Sequence, residues 1–312
     1  MSVQHPIIAV TGMAGAGLST VRHAFKAVFE RLGVRPAIVH GDGFRRYTDN
    51  QFAALLQASR EGSGETLSWF GPDCNHFTEL ETFFRSYAAT GNGLFREYAH
   101  NDVHAARLGV GPGQFTPWKP LPESDLLLYE GQHGGVVAQT WTRRRTSVPL
   151  PAGVDRRSGQ RGIDVAQHVD YLIGVAPAIN LEWIQKIHRD CAKGYCSAEA
   201  SVETILRRME DYARYIVPQF ALTDLNIQRM PLVDTSNPFV AREVPNPDES
   251  FLVVHFRDKR KYDLVSLLQK IPGSFMSRSG TMVAPGGELK LLLEMVCAPV
   301  ILEMMEKRRA AS

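Results

Sequence analysis

A glycine-rich segment near the start of the chain, Gly12–Thr20 (GMAGAGLST), constrains the fold more than any other part of the sequence. An apolar run over residues 6–11 precedes it, and apolar side chains at helical spacing follow it up to Gly33. A second apolar run, over residues 34–41, completes the order strand, turn, helix, strand. This order predicts an α/β fold with a mixed, mostly parallel sheet flanked by helices, because parallel neighbours need a crossover connection.

The same segment has the composition of a phosphate-binding loop. Glycines let successive backbone N–H groups point at one anion, the helix start adds its positive dipole end, and a Ser or Thr hydroxyl can reach Mg²⁺. Leu18 stands where such loops usually carry lysine. A tight turn with a purely structural role is the alternative. The predicted nucleotide-binding residues are Gly12, Met13, Ala14, Gly15, Ala16, Gly17, Leu18, Ser19 and Thr20.

Two acidic residues follow apolar runs that are typical of buried strands. Asp42 follows the run over residues 34–41, and Glu130 follows the run over residues 126–129. Ligands of open parallel sheets bind outside the carboxyl ends of the strands, so Asp42 is expected to face the same crevice as the glycine-rich loop. There it could accept a proton from an attacking hydroxyl, and Glu130 could hold Mg²⁺. The alternatives are a turn cap for Asp42 and a helix cap for Glu130.

A basic cluster lies on a predicted helix that begins near Asn180. Lys186 and Arg189 are three residues apart and share a helix face, so they could clamp a phosphate or neutralise a transferring group. A solvated basic surface is the alternative. The tripeptide 188–190 (HRD) imitates the protein-kinase catalytic loop, but Tyr195 replaces the required asparagine and no Asp-Phe-Gly follows, which excludes that class.

Apolar patterning predicts the remaining elements. Helical spacing favours helices over residues 79–87, 180–190, 198–215 and 288–308, the last with a break or kink at Pro299. The apolar face of the helix over residues 198–215 would consist of Val202, Ile205, Leu206 and Met209. Apolar runs favour strands over residues 126–131, 169–175, 231–234 and 251–256. No repeat or clean linker divides the chain, so residues 1–312 are predicted to form one domain, with a surface loop rich in Arg, Pro and Gly inserted at 140–162.

Composition argues against several classes of protein. The 35 basic and 33 acidic residues leave a net charge of +2, which does not favour a nucleic-acid binder. This total hides a cancellation, because residues 140–162 hold six arginines and one acid, or +5, and the rest carries −3. That loop could meet an acidic surface, a neighbouring subunit or anions, or could stay solvated.

Four cysteines, no signal-peptide pattern and no uninterrupted apolar span predict a cytoplasmic protein without membrane contact.

Longer stretches of the chain form a specific combination: HPIIAVTGMAGAGLSTV, HGDGF, FTPW, LLLYEGQHGGVV, VAQHVDYLIGVAPAINLEWIQKIHRD, ILRRM, VDTSNPF and FMSR. Together they resemble the phosphoribulokinase family in its bacterial, octameric form, within the uridine-kinase-like group of P-loop kinases. The resemblance covers most of the chain apart from residues 140–162. Bacterial members also tend to lack the loop lysine that Leu18 replaces.

The resemblance implies a P-loop kinase fold and a function. It implies ATP- and Mg²⁺-dependent phosphorylation of ribulose 5-phosphate at its 1-hydroxyl, giving ribulose 1,5-bisphosphate for the Calvin cycle, by a homo-octamer. The implied roles are catalytic for Asp42, Lys186 and Asp190, substrate-binding for Arg189, Lys193, Tyr98 and His100, and Mg²⁺-binding for Ser19 and Glu130.

The chain departs from this family pattern at several positions. The pattern has histidine and arginine at positions 45 and 49, where this chain has Arg45 and Asp49, which reverses one charge near the acceptor. Lys193 replaces an arginine in a segment that is one residue shorter, and loses its bidentate fork. His255 stands where members regulated by NADH carry arginine, although two other arginines, Arg31 and Arg278, are retained. A response to NADH is therefore left open.

Three interpretations of function follow. The first is an active phosphoribulokinase. The second is a diverged sugar-phosphate or uridine-like nucleoside kinase, which the acid at position 49 and the shortened segment favour. The third is a catalytically weak, nucleotide-binding regulatory subunit. The intact set of acidic and basic site residues argues against it, because a site that no longer catalyses a reaction has no chemical reason to keep them.

Overall fold

The computed structural model describes residues 2–13, 18–60, 67–138, 162–192, 196–240 and 242–311. Residues 14–17 of the glycine-rich loop, Lys193 and residues 140–161 of the predicted surface loop lie outside this description. Within the described ranges, no helix is long and apolar enough to cross a membrane.

Strands and helices alternate along much of the chain. The strands are β1 (Ile7–Gly12), β2 (Pro36–His40), β3 (Leu94–Phe95), β4 (Lys119–Pro120), β5 (Leu126–Gly131), β6 (Val137–Ala138), β7 (Ile163–Asp164), β8 (Tyr171–Pro177), β9 (Leu225–Pro231), β10 (Ser250–Phe256), β11 (Phe275–Arg278) and β12 (Thr281–Pro285). The α-helices are α1 (Leu18–Leu32), α2 (Asp49–Arg60), α3 (Phe77–Thr90), α4 (Asp102–Leu108), α5 (Ile179–Ala192), α6 (Ala198–Arg207), α7 (Met209–Asp211), α8 (Val217–Phe220), α9 (Leu264–Lys270) and α10 (Leu289–Ala311). Short 3₁₀ turns include Gly41–Phe44, and Tyr212–Ile216 is a π-helix.

The largest sheet has eight strands in the order β11-β12-β10-β9-β8-β1-β5-β2. β2 runs parallel to β5 and β8 runs parallel to β9, whereas β10 is antiparallel to β9 and β12, and β11 is antiparallel to β12. Two small sheets, β3-β4 and β6-β7, accompany it. The predicted mixed, mostly parallel sheet flanked by helices is confirmed.

The chain divides into two compact units, and the first comprises residues 1–9, 36–170 and 210–221. Its core is rich in aromatic side chains from α3, β5 and the 3₁₀ turn Gly41–Phe44. Phe44 contacts Phe83 with ring centroids 5.5 Å apart, and Phe84 contacts Tyr129 at 5.1 Å. Burying an aromatic ring contributes several kcal/mol, on the order of 3 to 5 by truncation to alanine. The turn that follows β2 is therefore anchored in this core through Phe44.

The second unit comprises residues 10–35, 171–209 and 222–312, and α1 packs against α10 inside it. α1 buries Val21, Phe25 and Val28 at the spacing of one helix face. The helix ends at Leu32 because Gly33 takes a positive φ of 64°, a conformation that glycine adopts without strain.

Most of the predicted elements are confirmed with shifts of one to three residues at their ends. The runs at 6–11, 34–41, 126–131, 169–175 and 251–256 form β1, β2, β5, β8 and β10, and the patterns at 79–87 and 180–190 form α3 and α5. The glycine-rich loop stands between β1 and α1, as expected.

Two predicted elements are wrong in part. The helix expected over residues 198–215 is interrupted after Arg207 and continues as α7, the π-helix and α8, and Leu206, expected on its apolar face, is exposed. Pro218 cannot donate a backbone hydrogen bond, which accounts for the irregular winding before it. The strand expected over residues 231–234 lies earlier, as β9 (Leu225–Pro231), where alternate side chains are buried, while residues 232 and 233 are exposed.

The C-terminal helix is confirmed, and no break interrupts it at Pro299. α10 continues through this residue to Ala311. Val296 and Ile301 are buried on either side of it, so packing along the helix outweighs the one backbone hydrogen bond that proline removes.

Candidate active site

Asp42 lies in a tightly packed turn directly after β2. Phe44 anchors this turn in the core, and two glycines bring it against neighbouring backbone. A Cβ at Gly43 would lie 1.9 Å from the carbonyl oxygen of Arg96, and a Cβ at Gly41 would lie 2.3 Å from the Tyr129 hydroxyl. Both positions therefore require glycine, and the backbone that carries Asp42 has little freedom to shift.

The Asp42 carboxylate faces the Arg45 and His100 side chains and keeps 46% of its side-chain surface exposed. Oδ2 lies 3.0 Å from His100 Nε2, and Oδ1 lies 3.8 Å from Arg45 Nε. Partial burial tends to raise the pKa of Asp42, but the hydrogen bond from His100 and the positive charge of Arg45 outweigh it, so the pKa is below the ordinary carboxyl value. The group is thus an accessible carboxylate at neutral pH, able to accept a proton. Its contacts with His100 and Arg45 argue against the turn cap.

Arg45 is held by a second acid and an aromatic ring. Its Nη1 donates to Asp49 Oδ1 at 2.8 Å, and its guanidinium lies over the Tyr98 ring, 4.1 Å from the centroid. The Tyr98 hydroxyl donates to Asp49 Oδ2 at 2.9 Å. The structure therefore brings both Tyr98 and His100 close to Asp42, but His100 contacts it directly, whereas the buried Tyr98 contacts Arg45 and Asp49.

Glu130 is the last residue but one of β5 and pairs with His40, with Oε2 3.9 Å from the histidine Nδ1. Its side chain is buried, and a turn over residues 132–135 follows, so there is no adjacent helix for it to cap. Mg²⁺ prefers oxygen ligands and is usually held by one or two carboxylates together with water and substrate phosphates. Among the described residues no group of three or more His, Cys, Asp and Glu could hold a metal. The single carboxylate of Glu130 fits an Mg²⁺ site completed by nucleotide phosphates.

In the second unit, the glycine-rich segment has the context of a phosphate-binding loop. β1 ends at Gly12 and α1 begins at Leu18. The first turn of α1 carries no acidic residue, so its positive dipole end is available to an anion. The backbone on both sides of residues 14–17 therefore supports the predicted phosphate-binding role.

Asp190, near the end of α5, joins the two predicted phosphate-binding cations. Lys186 Nζ donates to its Oδ2, and Arg189 Nε donates to its Oδ1 at 3.3 Å. Ser201 Oγ adds a third bond, to Oδ2, at 3.3 Å. Burial tends to raise the pKa of Asp190, but Lys186 and Arg189 outweigh it and lower the pKa. Asp190 is 8% exposed, whereas the cations remain partly accessible, so the carboxylate holds both cations in place. The catalytic role expected for Asp190 stays a prediction.

Three further residues surround Asp42, and only two of them have a recognisable sequence pattern. Arg96 Nε donates to the carbonyl oxygen of Gly43 at 2.7 Å, its Nη2 donates to that of Arg45, and its guanidinium stacks on Phe115. Nothing in the local sequence marks this arginine. Arg45 and Asp49, in contrast, have opposite charges four residues apart, a spacing that indicates an ion pair.

Comparison with known proteins identifies the family of this chain. The family model of the "Phosphoribulokinase / Uridine kinase family" matches residues 7–236. The chain is 45% identical to the chromosomal phosphoribulokinase of Cupriavidus necator over all of both chains, and 45% identical to the phosphoribulokinase of Nitrobacter vulgaris over 99% of each. The solved phosphoribulokinase from Rhodobacter spheroides is 41% identical, matches 99% of this chain and 100% of its own, and has a TM-score of 0.83. The expected P-loop kinase fold is thus confirmed, and the chain belongs to the phosphoribulokinase and uridine kinase family.

Proposed function

We propose that this kinase transfers the γ-phosphoryl group of ATP to the 1-hydroxyl of ribulose 5-phosphate, giving ribulose 1,5-bisphosphate and ADP. The observation that carries the proposal is the exposed, ionised carboxylate of Asp42 beside Arg45 and His100, directly after β2. The choice of acceptor is supported by full-length relatives that are named phosphoribulokinase.

Asp42 acts as the general base in this mechanism. As the substrate hydroxyl oxygen attacks the γ-phosphorus, its proton passes to the Asp42 carboxylate, and the bond between the γ-phosphorus and the β,γ-bridging oxygen breaks to release ADP. His100 donates to the other side of the same carboxylate and so fixes its orientation. Asp42 must be ionised for this step, and its lowered pKa ensures that it is.

The remaining predicted residues bind and neutralise phosphate groups. The backbone N–H groups of residues 12–20 would hold the nucleotide phosphates, and Ser19 and Glu130 would hold Mg²⁺. When bound, the metal ion neutralises negative charge on the β- and γ-phosphates. Lys186 and Arg189, oriented by Asp190, supply further positive charge, which matters more because Leu18 replaces the usual lysine.

The decisive variant is Asp42→Asn, which keeps the size of the side chain but removes the base. We expect turnover with ribulose 5-phosphate to fall about 10³-fold, the usual scale of general-base catalysis, with little change in KM. A coupled assay of ADP formation measures this, and Asp102→Asn, an exposed acid at the start of α4, serves as the matched control. Turnover comparable to that of the parent enzyme would contradict the proposed base.

A second candidate acceptor is favoured by one observation. Arg45 is engaged by Asp49, so part of the positive charge that a sugar phosphate would need is already neutralised. A neutral acceptor, such as a nucleoside, would tolerate this. Side-by-side assays with ribulose 5-phosphate, other sugar phosphates and uridine separate the two functions, since a preference for any acceptor other than ribulose 5-phosphate would overturn the first proposal.

A further inference from the structure

Arg96 is a half-buried arginine whose guanidinium binds the backbone of the turn that carries Asp42. Its Nε donates to the carbonyl oxygen of Gly43 at 2.7 Å, and its Nη2 donates to the carbonyl oxygen of Arg45. A planar guanidinium has several N–H donors in a fixed fork, so one side chain can bind two acceptors at a set spacing. Arg96 therefore links two points of this turn from a distant part of the chain.

Three successive carbonyl groups after Asp42 accept hydrogen bonds from outside the turn. The Phe44 carbonyl, between the two that Arg96 binds, accepts from the backbone N–H of His76 at 2.8 Å. Gly43 and Phe44 are buried, and a buried carbonyl that loses its donor is destabilised by more than an average hydrogen bond contributes. Without the Arg96 donors, the backbone next to Asp42 would lose one of its fixed points.

A short aromatic segment, Phe115–Trp118 (FTPW), holds the guanidinium of Arg96. The guanidinium lies over the Phe115 ring, 3.9 Å from its centroid, and over the Trp118 ring, 4.8 Å from its centroid. Aromatic faces attract a guanidinium, and this attraction is stronger where water is excluded. Trp118 also contacts Phe44 of the turn, with ring centroids 5.5 Å apart. The segment therefore packs against both the turn and the side chain that binds its carbonyl groups.

Thr116 ties the same segment to the backbone beside Arg96. Its N–H donates to the carbonyl oxygen of Glu97 at 2.9 Å, and its hydroxyl oxygen accepts from the Glu97 N–H at 3.0 Å. Phe115 pairs with Tyr98 in an isolated antiparallel bridge. The backbone and the charged end of Arg96 are thus both held by this segment, for which the sequence alone suggests no role.

We propose that Arg96 is a positioning residue for the proposed base Asp42, and that the segment Phe115–Trp118 holds Arg96 for this task. Among the described residues, the ion pairs of the Asp42 carboxylate are with Arg45 and His100. Arg96 instead binds backbone carbonyl groups, so it acts on where the base stands rather than on its charge. The proposal rests on the proposed role of Asp42.

The first test is Arg96→Met, which keeps an apolar stem between the two rings but removes every donor. We expect kcat for ribulose 5-phosphate to fall about 30-fold, because a misplaced base receives the proton poorly, while KM changes by less than about threefold. Arg85→Met, at an exposed arginine of α3, is the matched control and should keep the parental kcat. A parental kcat in Arg96→Met overturns the proposal. A raised KM at parental kcat also overturns it, because Arg96 would then bind the acceptor.

Arg96→Lys tests whether the forked donors matter rather than the charge. Lysine keeps the positive charge and the long stem, but its single nitrogen does not reproduce the planar fork that binds two carbonyl groups. We expect kcat about 10-fold below that of the parent. A parental kcat would overturn the proposal. Melting temperatures show which variants are folded, and Arg96→Lys carries the test if Arg96→Met does not fold.

Combining Arg96→Met with Asp42→Asn separates positioning from general damage. If Arg96 acts through the base, removing the base also removes what Arg96 contributes. The double variant should then turn over within about threefold of Asp42→Asn alone. Damage to the fold, or a direct contact with the acceptor, would lower kcat by the same factor in both backgrounds, and that result overturns the proposal.

The outcomes for Asp42 and for Arg96 are distinguishable. If Asp42→Asn keeps parental turnover, the proposed base fails and the positioning role fails with it. If Asp42→Asn is slow and Arg96→Met lowers kcat by the same factor in both backgrounds, only the positioning role fails.

Discussion

Two aspartates show how surroundings decide what a carboxylate can do. Asp42 and Asp190 both have a pKa that nearby cations lower against the effect of burial. Asp42 is half exposed and has one hydrogen-bond donor among the described residues, so it retains capacity for a proton. Asp190 is buried and accepts hydrogen bonds from three side chains, so about one of its four acceptor positions is left. Accessibility and free lone pairs, rather than charge alone, separate the proposed base from the residue that orients the cations.

The pH dependence of activity tests the electrostatics around Asp42. The ionisable groups that face it are His40, Arg45, His100, Tyr129 and His133. Because the base must be ionised, kcat/KM falls as the pH drops through the pKa of Asp42, and Arg45 holds that pKa down. In Arg45→Met we therefore expect the acid limb to move to higher pH. Profiles of kcat/KM at matched ionic strength measure this, and coincident acid limbs would contradict the assignment.

At the scale of elements, the 3₁₀ turn Gly41–Phe44 makes a sharp prediction. In Gly43→Ala the new methyl group would meet the backbone carbonyl of Arg96, so the turn that carries Asp42 must move. We expect a loss of about 2 kcal/mol in the free energy of unfolding, within the range for overpacking, together with most of the activity. Urea unfolding and kcat measure the two effects. Gly111→Ala is the control, since its Cβ meets only Gln114 Cγ at 3.6 Å; equal effects at both glycines would contradict the prediction.

Elements were predictable where burial follows a local period, and not elsewhere. α1 buries one face and ends at a glycine, so spacing alone located it. The helix predicted over residues 198–215 failed because its later winding is set by Pro218 and by packing. The strand was predicted over residues 231–234 instead of 225–231 because residues 232 and 233 are apolar, although both are exposed. The sequence of β9 itself mixes apolar and polar residues and so resembles a strand less.

The sequence predicted the acidic and basic residues of the candidate site but not the contacts between them. Asp42, Glu130, Lys186 and Arg189 sit at strand ends or share a helix face, which local sequence reveals. The bond between Asp42 and His100 joins residues 58 positions apart, and such contacts depend on tertiary packing.

At the scale of the whole molecule, the parallel strands of the sheet were more predictable than its antiparallel side. β1, β5 and β8 are largely continuous buried runs, the pattern typical of parallel sheets, whereas β2 at the edge buries Ala37 and Val39 and exposes Ile38. β11 is short and its Phe275 is exposed, so no apolar pattern marked it. The prediction of a single domain over residues 1–312, with an inserted loop at 140–162, stays a prediction.

The oligomeric state is a prediction for the whole molecule. From the family resemblance we expect a homo-octamer, and eight chains of 34.7 kDa have a mass of about 280 kDa. Size-exclusion chromatography with light scattering measures this mass directly, and repeating it with residues 140–162 deleted tests whether the arginine-rich loop contributes to assembly. The mass of a single chain for the intact protein would refute the expectation.

Adding NADH during turnover assays tests the response left open by His255.

The ion pair between Arg45 and Asp49 also bears on how relatives of this protein can diverge. Changing either residue alone leaves an uncompensated charge near the base, so an intermediate sequence with one change is at a disadvantage. Positions 45 and 49 should consequently vary together across related kinases, with an acid at 49 wherever arginine stands at 45. A collection of sequences in which the two positions vary independently would show that neighbouring side chains absorb the imbalance.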